Sequence, residues 1–276
     1  MPKLENKVAL VTGGSRGIGL AITEAYLKEG AKVMIAARNR LEIRDACEEL
    51  RKKFPDVEGC PSDVSREGDV KTLVETTLRA FGKIDVLVNA AGIYGPIGPS
   101  EEVDFEKWKD TFEINVFGTF RMMQEVIPHM KAQKFGKIIN FSGGGDGPLP
   151  RFSAYHASKG AIVRLTETMA AELKEFGIEI NCFAPGAVNT KFLDEALEAG
   201  EEKVGKERYE KLLKQKTEGG IPPEKAAAMC VFLASEASNG LSGKFLSAVW
   251  DEYEKWSPKE IAELMKTDRY TLRRKV

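Results

Sequence analysis

Tyr155 and Lys159, in the run Tyr155-His156-Ala157-Ser158-Lys159, stand one helical turn apart at the start of a helix-like segment. Positions i and i+4 share a helical face, so a phenol and an ammonium point into the same space. A free tyrosine, with a pKa near 10, is a poor proton carrier at neutral pH. A cation about 5 Å away at an effective dielectric near 20 favours the phenolate by roughly 3 kcal/mol, or about 2 pKa units. Tyr155 is therefore expected to act as a general acid/base on a carbonyl or carbinol oxygen. The pair alone is weak evidence, because Tyr and Lys meet at this spacing by chance in many helices.

A second element gives it weight. The apolar run 8–11 leads into Thr12-Gly13-Gly14-Ser15-Arg16-Gly17-Ile18-Gly19 and then into a helical pattern. Glycines at a strand-to-helix turn let backbone approach a pyrophosphate closely, and the helix start supplies free N–H groups and the positive dipole end. Gly13, Ser15, Arg16, Gly17, Ile18 and Gly19 are the expected phosphate-side residues.

These groups need a scaffold. Short apolar runs recur at 8–11, 33–37, 84–88, 138–141, 178–183 and 245–249, with a weaker one at 57–62. They lack apolar/polar alternation, as strands buried on both faces do. Helix-like segments lie between them at about 15–29, 40–54, 66–81, 105–133, 155–176 and 222–235. The alternation predicts an α/β fold with a doubly wound parallel sheet and helices on both faces. No linker interrupts it, so 1–250 reads as one catalytic domain, followed by an extension over 251–276. The charged stretch 191–220 carries no strand and reads as a mobile helical insertion.

The turn spacing T-G-x-x-x-G-x-G, met by Thr12, Gly13, Gly17 and Gly19, and the Y-x-x-x-K of Tyr155 and Lys159 resemble the short-chain dehydrogenase/reductase family. The resemblance runs over about 5–250 and is similar to 3-oxoacyl-[acyl-carrier-protein] reductase-like members. It implies a single Rossmann-type domain and a nicotinamide cofactor, whose oxidised ring would further favour the phenolate. It also implies a catalytic serine that polarises the substrate oxygen. Counting back from Tyr155 by the family's usual interval gives Ser142, the expected residue. Aligning by the strand end would instead put Gly143 there, at the head of Gly143-Gly144-Gly145-Asp146-Gly147, and Ser153 is a distant second choice. Asn115 interrupts the apolar helical face of Phe105, Trp108, Phe112, Val116, Thr119 and Met123, so its amide must find partners. In isolation that reads as structural. Within Asn115-Val116-Phe117-Gly118 the resemblance implies a proton-relay role through its backbone carbonyl.

Further matches concern the cofactor. Asp63 and Val64 match the adenine-contacting pair. Asn89, Ala91 and Gly92 match N-N-A-G, with Ala90 replacing the second amide. Pro185, Gly186, Val188 and Thr190 match the loop that lines the nicotinamide. The second strand ends Ala37-Arg38-Asn39, without the carboxylate that would bind ribose hydroxyls. Arg38 and Arg16 could instead hold a 2′-phosphate, so NADP(H) is expected over NAD(H), which stays possible. Tyr94, Pro96, Ile97, Leu149, Pro150, Phe152, Phe192 and Leu193 make the expected substrate wall apolar.

Composition narrows the remaining classes. Forty-one basic against forty-two acidic residues give a net charge of -1, with no pull toward nucleic acid or anionic membrane. The uncharged run 86–100 contains two prolines and is too short to span a bilayer. Residues 1–7 are polar, without an apolar signal region, so a cytoplasmic location is expected. Four scattered cysteines and two histidines argue against a metal site. The expected partner is a small-molecule carbonyl or alcohol, in a homo-dimer or homo-tetramer. A cofactor-binding sensor without turnover is the rival class, and epimerisation or dehydration through a transient redox step is a third reading. Trp250, Tyr253 and Trp256 recur at i, i+3, i+6, either as a cover for the pocket or a neighbouring subunit, or as a tail packed on its own domain. The basic end, Arg269, Arg273, Arg274 and Lys275, reads as a solvated terminus.

Overall fold

The computed structural model describes residues 2–143 and 147–273. The expectations for Gly144, Gly145, Asp146, Arg274 and Lys275 lie outside the described residues. Seven strands alternate with helices in the order β1 (Val8–Thr12), α1 (Gly17–Lys28), β2 (Lys32–Ala37), α2 (Arg40–Arg51), β3 (Val57–Pro61), α3 (Glu67–Phe81), β4 (Val86–Asn89), α4 (Phe105–Phe112), α5 (Thr119–Gln133), β5 (Gly136–Phe141), α6 (Ser153–Leu173), β6 (Ile178–Ala184), α7 (Lys191–Val204), α8 (Lys206–Glu218), α9 (Pro223–Ala234), β7 (Phe245–Ser247) and α10 (Pro258–Leu264). All strand pairs are parallel, in the order β3-β2-β1-β4-β5-β6-β7. This is the Rossmann-type, doubly wound arrangement, with the order reversing between β1 and β4.

The continuous apolar runs have a direct cause. Ala9, Val11, Val33, Ile35, Val86 and Val88 face a core completed by α1, α2 and α9. Their neighbours Leu10, Met34, Leu87, Ile138 and Ile180 face a second core completed by α3, α5 and α6. Successive side chains point to opposite faces, so a strand covered on both sides is apolar at every position.

Between α4 and α5 the chain forms a π-helical turn, Glu113–Gly118, that contains Asn115. Such turns are rare and concentrate at functional sites. The tail adds to the first core rather than standing apart: Tyr253, Ile261 and Leu264 are buried in it, and Phe245 N–H bonds the Tyr270 carbonyl. Trp256 packs on Phe232, whereas Trp250 is 83% exposed, so the three aromatics share no face. No helix among the described residues is long and apolar enough to cross a membrane.

Candidate active site

The C-terminal ends of β1 and β4 meet at the point where the strand order reverses, where ligands of open α/β sheets bind. Thr12 joins them: its hydroxyl oxygen accepts from the N–H groups of Ala90 (3.1 Å) and Ala91 (3.2 Å). Gly13 adopts φ 69°, and a Cβ there would lie 3.1 Å from the Ala90 carbonyl and the Ala91 nitrogen. A Cβ on Gly19 would sit 2.1 Å from the Gly13 oxygen. The turn is thus closed around bare backbone, at the start of α1, whose N-cap Arg16 makes no side-chain cap bond. That is a cradle for a pyrophosphate. Across it, a Cβ on Gly17 would lie 3.5 Å from the Thr190 methyl, and the Thr190 side chain makes no cap bond to α7. The structure therefore brings Gly13, Gly17, Gly19 and Thr190 together. Val188 N–H bonds the Gly186 carbonyl, folding the loop that begins at Pro185. Asn89 donates to Asn140 at 2.9 Å, while its buried side-chain oxygen has no partner, an acceptor left at the crevice floor. These features fit a dinucleotide.

Around the adenosine end, Asp63 accepts from Ser65 N–H and Ser65 hydroxyl. Burial alone would raise its carboxyl pKa; those bonds and the charges of Arg38 and Arg66 hold it below the usual range. Val64 is buried and would touch a Cβ placed on Gly118. Sequence reasoning missed Glu42, whose carboxylate takes Arg16 in an ion pair (3.2 Å) and accepts from Ser15 (3.4 Å). Asn39 caps α2 by accepting from Leu41 and Glu42 N–H.

Tyr155 and Lys159 are both buried on α6. The Lys159 Nζ stands 5.7 Å from the Tyr155 ring centroid and donates to the Phe141 carbonyl at 2.9 Å. A Cβ on Gly92 would lie 3.7 Å from that Nζ and 3.2 Å from the Asn115 side-chain oxygen, so a side chain there would crowd the Asn115 amide. Asn115 is fully engaged: its amide oxygen accepts from Ile93 N–H, and its nitrogen donates to the Ile93 carbonyl and to the Ser158 hydroxyl. Its backbone carbonyl, the atom expected to serve the relay, accepts from the Thr119 hydroxyl at 2.9 Å.

The electrostatics correct the first expectation. Burial raises the Tyr155 pKa above its ordinary value, Tyr94 adds to the rise, and the Arg208 charge opposes it. Burial pushes Lys159 down to about 8. Desolvation outweighs the pair attraction estimated from spacing, because the ring is enclosed by Tyr94 (centroids 4.7 Å), Phe192 (6.1 Å) and the cluster of Phe152, Leu193 and Leu212.

The serine expectation is corrected as well. Ser142 is buried and its hydroxyl donates toward the Lys159 carbonyl (3.4 Å), into α6 rather than to the tyrosine hydroxyl. The cause is strand alternation: Asn140, two residues earlier, sends its amide to Thr166 on the same helix. Gly143 holds the position against the phenol, where a Cβ would meet the Tyr155 oxygen at 2.5 Å. Ser153 accepts from the Trp108 indole N–H at 3.2 Å. Ser142→Ala should consequently change kcat less than about threefold. Gly143→Ala should lower it about 100-fold, since an atom at that distance displaces the tyrosine hydroxyl from the reacting oxygen. Steady-state kinetics on the two variants checks this ordering.

Fold and site together define an oxidoreductase that works with a nicotinamide dinucleotide. The family model described as short chain dehydrogenase matches residues 7–201. L-fucose dehydrogenase of Bos taurus is 35% identical over 237 residues, covering 84% of each chain. Dehydrogenase/reductase SDR family member 4 of Caenorhabditis elegans is 36% identical over 247 residues, covering 88% of this chain and 94% of its own. Among solved structures, NAD+-bound xylitol dehydrogenase superposes with TM-score 0.80 at 30% identity, covering 89% of this chain and 98% of that one. Levodione reductase gives 0.81 at 26% identity, covering 92% and 100%. The chain belongs to the short-chain dehydrogenase/reductase family and is an NAD(P)-dependent oxidoreductase of alcohol or carbonyl groups in small molecules.

Proposed function

We propose that the protein interconverts a carbonyl and a secondary alcohol with Tyr155 as general acid/base, preferring NADP(H). The observation that carries this reading is the buried phenol of Tyr155 set beside the buried ammonium of Lys159, with Gly92 next to that ammonium. The cofactor, when bound, supplies or accepts the hydride at the carbinol carbon. Gly13, Ser15, Gly17, Ile18, Gly19 and Thr190 would hold its pyrophosphate side, and Asp63, Val64, Asn89, Ala91, Gly92, Pro185, Gly186 and Val188 its two rings and ribose. Tyr155 gives the proton to the oxygen in reduction and takes it in oxidation. Lys159 orients the ribose, and the Asn115 carbonyl supports the proton path beyond it. Reduction of a carbonyl panel, followed by loss of NADPH absorbance, tests the reading; no turnover despite tight NADPH binding would favour the sensor class.

For NADP(H), Arg38 stands at the β2 end in place of a carboxylate, close enough to Asp63 to lower its pKa. Glu42 acts against it by engaging Arg16. Arg38→Ser is expected to raise KM for NADPH about tenfold and to leave KM for NADH within twofold. Glu42→Gln, which frees Arg16, should lower KM for NADPH severalfold. A wild-type preference for NADH would refute the cofactor assignment without touching the fold.

A cytoplasmic homo-dimer or homo-tetramer belongs to the same reading. Phe105, Phe117 and Phe120 lie exposed along α4, the π turn and α5, an apolar row suited to a second copy. Light scattering on the purified protein reads the assembly directly.

A further inference from the structure

The helices α7 and α8 cover Tyr155 with a mostly apolar face. Leu193, Ala196, Val204 and Leu212 are buried in the same cluster as Tyr155 and Phe152, with Tyr94, Phe192 and Tyr209 packed against it. Arg208 lies four residues before Leu212 on α8 and therefore on the same helical face. Its Nε is buried without a hydrogen-bond partner, and no ion pair to its guanidinium is found among the described residues. The neighbouring charges are spoken for: Lys216 pairs with Asp194, Lys211 with Glu207, and Lys191 with Glu195.

A buried Nε gives up its water with nothing in return, which is costly, while the rest of the Arg208 side chain is part-exposed. The cost falls when a carboxylate enters and takes the fork in charge-assisted bonds. Its place on the Leu212 face turns it toward the cluster that holds Tyr155, and its charge acts on both Tyr94 and Tyr155, with the Glu195 carboxylate opposing it at Tyr94. The segment that carries it is tied to the loop before α6, where Arg151 Nη1 donates to the Glu202 carbonyl (2.7 Å) next to the α7–α8 junction.

We propose that Arg208 binds a carboxylate of the substrate, making this enzyme one for oxo acids and the corresponding hydroxy acids. The assignment rests on the oxidoreductase reading and names its substrate class. In the reducing direction the oxo group gains a hydride from NAD(P)H at carbon and a proton from Tyr155 at oxygen, giving the hydroxy acid and NAD(P)+. The carboxylate keeps its charge throughout and stays on Arg208, while the carbon chain between lies along Tyr94 and Phe192.

The test pairs each oxo acid of a short series (pyruvate, 2-oxobutanoate, levulinate) with its methyl ester. Turnover is measured with NADPH and NADH on wild type, Arg208→Gln and Arg208→Lys, and binding of the acids to the cofactor-loaded enzyme by calorimetry. At least one acid should exceed its ester by about tenfold or more in kcat/KM, mostly through KM. Arg208→Gln should remove that advantage and leave the ester within about threefold, and Arg208→Lys should restore part of it. Esters favoured over acids, or an acid preference that survives Arg208→Gln, would overturn the proposal while leaving an active reductase. Calorimetric binding of an acid that vanishes in Arg208→Gln, without turnover, would uphold the carboxylate site and remove the enzyme reading. Neither binding nor turnover of any acid would overturn the site itself.

Discussion

Tyr155→Phe should lower kcat by about 10³-fold, with NAD(P)H affinity within about twofold and the melting temperature unchanged or slightly raised. The substitution removes one oxygen and leaves the ring between Tyr94 and Phe192, so packing is kept. What disappears is the proton donor at the phenol beside Lys159. The direction of the pKa shift sets the pH behaviour. Burial raises the Tyr155 value, so the neutral phenol is the resident form throughout the physiological range. Reduction, which needs that form, should be nearly flat with pH across neutrality. Oxidation needs the phenolate and should climb steadily as pH rises through the alkaline range. A falling oxidation rate over that range, or a phenylalanine variant within tenfold of wild type, would remove Tyr155 from the chemistry.

Much of this was legible in the sequence because it was written in backbone demands. Doubly buried strands show as unbroken β-branched runs, and Gly13 and Gly19 sit where no side chain fits. The errors arise where side-chain direction, not type, decides. Ser142 was favoured by counting thirteen residues back from Tyr155, yet that interval crosses a loop whose length does not carry strand register. Alternation from Asn140 does carry it, and it turns Ser142 into α6. The triplet Trp250, Tyr253 and Trp256 suggested one helical face, but Ser247 accepts from Val249 and Trp250 N–H and its own N–H donates to Asp251, which bends the chain before the next short helical turn. Two functional candidates had little readable signal. Glu42 meets Arg16 only through the packing of α2 against the glycine turn. Arg208 sits in a run of charges, where the apolar Val204 and Leu212 four residues to either side were the one hint that this arginine faces inward.

Lys159→Met should lose at least about 100-fold in kcat and yet make the cofactor-free protein more stable. A lysine in the unfolded chain titrates near 10.4, whereas burial brings Lys159 to about 8 in the fold. Between those values the unfolded chain holds a proton that the folded lysine has released. Folding is therefore opposed by this residue below about pH 8, and the opposition fades as pH rises to about 10.4. The full penalty is about 3 kcal/mol, offset by roughly 1 kcal/mol for the bond from Nζ to the Phe141 carbonyl that the variant also loses. The net gain of about 2 kcal/mol at pH 7 corresponds to a melting temperature higher by about 5 °C. The difference between variant and wild type is the quantity to follow, because the buried thiol of Cys230 is also shifted by burial and adds its own alkaline slope to both proteins. That difference should shrink between pH 8 and 10.4. A variant equal to or less stable than wild type at pH 7 would mean that the ammonium is not held at a cost. An unfavourable charge kept in place by selection is what a catalytic lysine requires, since the same desolvation that weakens the fold strengthens its hold on an anionic or hydroxyl-bearing partner.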